Sequence, residues 1–124
     1  MAELQLLLSA EKLANRDPDG AGVSDPYAKV FVMENDSWTL AGTTEVIRDT
    51  LNPEWKQPIT VTATRGQGEY IKIEVWEEDQ GRDDFLGNLL LSLDALLESG
   101  CYQRLPLSFA GTMTIRTVEW GEGF

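Results

Sequence analysis

Residues 71–76 read IKIEVW. Ile71, Ile73 and Val75 share one face of an extended chain and Lys72 and Glu74 the other, the period-two alternation of a half-buried strand. The same reading extends outward in both directions. Leu4, Leu6 and Leu8 alternate with Gln5, Leu7 and Ser9, and YAKVFVM at 27–33 is β-branched and aromatic with Lys29 as its one charge. Further strands are expected at 43–47, 59–64, 85–93, about 103–107 and 112–119. One short helix is expected at 94–99, with Asp94 able to cap its start and Gly100 its end. Turn signals recur along the chain, there is no internal repeat or linker, and the 124 residues fit one domain. The expectation is all-β: a single eight-stranded antiparallel β-sandwich over residues 1–124 with one short helix.

Composition narrows the function classes. The net charge of −11 argues against nucleic acid, whose phosphates would repel the chain. With one cysteine, Cys101, no internal disulfide can form, so a reducing, cytoplasmic setting is the expectation. The opening MAELQLLLSAEKL lacks a basic flank, and its apolar run is too short for a signal peptide or a membrane span. The chain has no histidine, which removes the usual general base, the Ser-His and Cys-His nucleophile systems and histidine-bearing zinc sites. An enzyme is not expected.

The charge is concentrated in loops. RDPDGAGVSDPY at 16–27 holds three aspartates among glycines and prolines, which oppose helix and central strand alike. If each strand reverses the last, the loops after the first, third and fifth strands lie at one end of the sandwich. The first carries Asp17, Asp19 and Asp25. The second carries Asp49, Asn52 and Pro53, and the third, EEDQGRDD, carries Glu77, Glu78, Asp79, Asp83 and Asp84. Converging carboxylates repel one another by roughly a kcal/mol or more per close pair, and a hard divalent cation offsets that. Calcium takes oxygen ligands in flexible geometry, whereas magnesium demands an octahedron and holds its waters. An EF-hand is excluded: with Asp17 in first place, the position needing a bidentate glutamate is Ala28. Simple solvation is the alternative for any one acidic loop. Asp36 and Asp49 read as turn residues, Asn52-Pro53 as a turn, Trp55 as core, and Trp38 as part of a loop at the opposite end.

SDPYAKV at 24–30, TTEVIRDTLNPEW at 43–55 and VWEEDQGRDDFLG at 75–87, in that order and spacing, resemble a C2 domain. The resemblance runs from about Leu4 to Trp120, and the wording of the second motif and of GTMTIRTVEW is most similar to copine-type C2 domains. It implies a calcium-dependent membrane-targeting sandwich, in the second of the family's two permuted topologies, whose closing strand is C-terminal. It implies calcium ligands at Asp19, Asp25, Glu77, Asp79 and Asp84, with Asp17 and Asp83 as secondary or substitute ligands. Two departures bear on affinity and ion number: Glu77 stands where aspartate is usual, and the third loop is one residue shorter between Asp79 and Asp84. The implied partner is an anionic phospholipid surface, reached peripherally in signalling or trafficking, with Val23 and Arg82 as contacts at the loop tips. Lys29 lacks the basic neighbours of a strong phosphoinositide site. A calcium-independent protein-interaction module is the alternative.

Overall fold

The structure, a computed structural model, describes residues 2–15, 24–64, 66–99 and 102–121. Its elements are β1 (Ala2–Glu11), β2 (Pro26–Glu34), β3 (Ser37–Thr43), β4 (Ile59–Ala63), β5 (Tyr70–Glu77), β6 (Asp84–Ser92), α1 (Leu93–Glu98), β7 (Tyr102–Pro106) and β8 (Thr112–Gly121). They form two four-stranded sheets, β4-β1-β8-β7 and β3-β2-β5-β6, with every pairing antiparallel. The C-terminal strand β8 closes the first sheet between β1 and β7, as the permuted topology requires.

Alternation decides which side chains meet between the sheets. Leu4, Leu6 and Leu8 of β1 are buried while Leu7 is 43% exposed; Ile71, Ile73 and Val75 of β5 are fully buried. Met113 and Ile115 from β8, Val30 from β2 and Leu86 from β6 complete the layer. Trp55 is buried as expected, and its indole N–H donates to the carbonyl of Pro26 at 3.2 Å. That bond satisfies the indole N–H, which burial would otherwise strand.

Three expectations are corrected. The third strand runs Ser37–Thr43 rather than 43–47. Asn35 and Asp36 both take positive φ, the backbone of a two-residue hairpin turn, so SWTLAGT folds straight back onto β2. Residues 44–47 instead follow β2 irregularly, through Thr44 N–H to Ala28 O at 2.8 Å and Ile47 N–H to Pro26 O at 3.1 Å. Trp38 consequently lies in a strand, opposite Met33, with the Lys72 ammonium 5.1 Å from its ring. Helix α1 starts at Leu93, and its cap is Ser92, whose hydroxyl accepts the Ala95 N–H at 3.2 Å. Asp94 accepts instead from the N–H groups of Gly66 and Gly68, tying the β4–β5 turn to the helix. Gly100 and Cys101 lie outside the described residues.

Within the second loop, 44–58, one carboxylate ties the two ends together. Glu45 accepts the backbone N–H of Lys56 at 2.6 Å and of Gln57 at 3.2 Å. Partial burial alone would push its pKa up, but these backbone donors outweigh it and hold the carboxyl below its ordinary range. Gly111 lies beside the end of β1, where the first loop begins, at φ +87°, and a Cβ there would meet the Glu11 carbonyl oxygen at 2.5 Å.

Two expectations follow for stability. Gly111→Ala forces both a left-handed alanine and a backbone clash, and should cost about 2 kcal/mol or more in urea unfolding. The Glu45 contribution belongs to its ionised form, so it is complete above the unfolded pKa and lost as pH falls through the depressed folded value. The stability gap between wild type and Glu45→Gln should therefore hold steady above about pH 5 and narrow toward pH 3. A gap that widened on acidification would contradict this account.

Candidate functional site

The site is built by the β2–β5 ladder. Pro26 pairs with Glu77, and the pairing runs one step further as the Glu78 N–H donates to the Asp25 carbonyl at 3.0 Å. That backbone bond brings the end of the first loop beside the start of the third. The second loop joins them from the other side: Thr50 N–H donates to Ser24 O at 3.0 Å, and Asp49 N–H to Asp25 Oδ1 at 2.8 Å. Asp49, at φ +53°, is thus a turn residue with a specific task, aiming its amide at a carboxylate. The first loop is moored to the second through Lys12 N–H to Asn52 Oδ1 and Leu13 N–H to Leu51 O, both at 3.0 Å. Three loops distant in sequence converge, as alternating strand direction requires.

The described acidic side chains there differ in their surroundings. Glu77 ends β5 on its inward face, in step with Ile71, Ile73 and Val75, and is only 3% exposed. Asp84 opens β6 directly opposite it. Asp79 folds its Oδ1 back onto the Gln80 N–H at 2.7 Å. Asp83 accepts from two donors, the Tyr27 hydroxyl and the Asp79 N–H. The hydrogen bond from Tyr27, then the Asp79 amide, hold the Asp83 carboxyl below its ordinary range, with the Lys29 charge assisting against burial. Burial, and then the bond to Asp83, push the Tyr27 phenol well above its ordinary pKa. Asp83 is accordingly a brace within the third loop and across to β2, with both oxygens engaged.

Sequence reasoning missed the basic member of this cluster. Arg48, in the second loop, places Nη2 at 2.8 Å from Glu78 Oε1 and Nη1 at 3.5 Å from Asp25 Oδ2. Its signal was available: it falls in the middle of TEVIRDT, within a loop expected at this same end. A cavity of about 260 Å³ opens between Asp25, Arg48, Glu78, Asp79 and Gln80. Arg82 is exposed at the tip of the third loop. Asp17, Asp19 and Val23 lie outside the described residues.

Among the described residues, no three acidic, histidine or cysteine side chains are gathered closely enough to hold a metal ion by themselves. The donor chemistry nonetheless fits a hard cation, since Asp25, Glu77, Asp79 and Asp84 offer oxygen alone, with backbone carbonyls at hand. A soft metal finds no thiol or imidazole among them.

Comparison with known proteins gives the family. The C2 domain family profile matches residues 5–106. Copine-A of Dictyostelium discoideum is 31% identical over 125 residues, covering 95% of this chain. Extended synaptotagmin-1 of Rattus norvegicus is 38% identical over 119 residues, covering 92%. A protein of Arabidopsis thaliana described as a calcium-dependent lipid-binding protein is 28% identical over 93% of the chain. The chain spans only 20%, 10% and 22% of the lengths of these three relatives. Among solved structures, a calcium-bound C2A–C2B pair of extended synaptotagmin 2 superposes with a TM-score of 0.75 at 27% identity, covering 96% of this chain and 45% of that one. An isolated C2 domain superposes with a TM-score of 0.74 at 22% identity, covering 98% of this chain and 100% of that one. With two four-stranded antiparallel sheets, a C-terminal closing strand and the family profile matching residues 5–106, the chain belongs to the C2 domain family.

Proposed function

We propose that this chain is a single, non-catalytic module that binds calcium at the three-loop end and, in that state, attaches peripherally to anionic phospholipid. The observation that carries the reading is the convergence itself: Asp25 and the third acidic loop are joined backbone to backbone at 3.0 Å, with Asp25, Asp79 and Glu78 around one cavity. Two similar proteins support it, one described as a calcium-dependent lipid-binding protein and the other a calcium-bound pair of C2 domains. No described helix is long and apolar enough to cross a membrane, in keeping with peripheral attachment.

In this reading Asp25, Glu77, Asp79 and Asp84 hold the cation, with Asp19 and Asp17 completing the set from the first loop. When bound, calcium supplies positive charge and open coordination positions that phosphate or carboxylate oxygens of a headgroup can fill. The chain's own residues do the rest. Asp83 and Tyr27 keep the third loop in shape, and Asp49 and Thr50 keep the second loop against Asp25. Arg82 contacts lipid phosphate, and Val23 gives the first loop a small apolar tip. With so few apolar groups, docking is shallow and headgroup-dominated. Attraction is confined to about one Debye length, some 10 Å at moderate salt, because the protein as a whole stays acidic.

A second reading is a calcium-independent protein-interaction module. It is favoured by Arg48, which already neutralises part of the acidic end without any metal. The two readings part on thermal melts taken in chelator, in magnesium and in millimolar calcium. A ligand present at 100 times its Kd adds about 2.7 kcal/mol, and each kcal/mol shifts the midpoint by roughly 3–6 °C for a domain of this size. A calcium-specific rise of several degrees is expected, abolished in the double variant Asp25→Asn, Asp79→Asn, together with vesicle binding that disappears in molar salt. Vesicle binding indifferent to calcium and to the double substitution would favour the protein-interaction reading instead.

A further inference from the structure

We propose that Arg48 is a built-in competitor for the cation, a tethered positive charge that holds the acidic end together and must yield before a metal can take Asp25. The inference rests on the calcium reading above and concerns what sets its threshold.

Arg48 spans two loops at once, its guanidinium fork reaching Glu78 of the third loop at 2.8 Å and Asp25 of the first at 3.5 Å. The backbone that carries it is fixed by the same carboxylate it pairs with, since the neighbouring Asp49 amide donates to Asp25 Oδ1 at 2.8 Å. The two Asp25 oxygens are thereby divided: Oδ1 belongs to a backbone amide and Oδ2 faces the guanidinium. A cation entering the cavity between Asp25 and Asp79 meets Arg48 in its wall, competing for Oδ2 and repelling it.

The pair is also built to release. The Arg48 side chain is 66% exposed, against 25% for Asp25 and 41% for Glu78, so the guanidinium can swing into water at little desolvation cost. A buried pair would block the site; this one only biases it. Arg48 therefore raises the calcium concentration at which the end loads, and spares the metal-free protein part of its loop repulsion.

The test compares wild type, Arg48→Gln and Arg48→Lys by calorimetric calcium titration without lipid, and by melts in chelator and in saturating calcium. Arg48→Gln should bind calcium about two- to fivefold more tightly, the range an exposed ion pair can influence. It should melt lower than wild type in chelator and alike at saturation. Arg48→Lys, which keeps the charge but not the fork, should fall between. If wild type binds calcium and Arg48→Gln binds it equally or more weakly, Arg48 is no competitor and the inference fails while the calcium reading stands. If none of the three binds calcium, both fall together.

Discussion

The register of β2 against β5 is the constraint on which the rest depends. Val30 faces Ile73 and Pro26 faces Glu77, so one pairing buries the hydrophobic set and also sets Asp25 beside Glu78. A slip of one residue would turn Ile71, Ile73 and Val75 to solvent. It would also carry Glu77 from the inner face to the outer. The apolar core thus enforces the geometry of the acidic end, and the cluster of like charge is tolerated because its placement is a by-product of burial elsewhere.

What that end does with its charge follows from how each carboxylate is occupied. Asp83 is committed to Tyr27 and the Asp79 amide, and Asp25 to the Asp49 amide and Arg48. These contacts use backbone donors, the Tyr27 hydroxyl and the exposed Arg48 guanidinium, which offset repulsion only in part. Glu77 lies inside, at the end of β5, in step with the core side chains.

Strands with strong alternation were legible in the sequence: IKIEVW and the Leu4–Leu6–Leu8 set sit as read, because each has one wholly apolar face. The third strand was not. SWTLAGT is an edge strand with a mostly exposed surface, so burial left no period-two mark on it. TEVI, with its adjacent β-branched valine and isoleucine, looks more like a strand but follows β2 only irregularly, through Thr44 and Ile47. The hairpin depends on left-handed Asn35 and Asp36, a turn signal weaker than one containing glycine. At the helix, the expected cap Asp94 is drawn away to Gly66 and Gly68, and Ser92 caps in its place. The converging loops could be inferred from strand direction alone. The pairing of Arg48 and the bond from Tyr27 to Asp83 could not, because each joins residues more than twenty positions apart and depends on side-chain reach.

The central claim is that calcium binds where these loops meet. Amide chemical shifts followed by nuclear magnetic resonance during a calcium titration test it directly, since they report location as well as affinity. The account predicts saturable shifts concentrated at residues 24–25, 48–50 and 77–84, with little response to magnesium at the same concentrations. Shifts scattered over the sheet faces, or none up to several millimolar calcium, would contradict it.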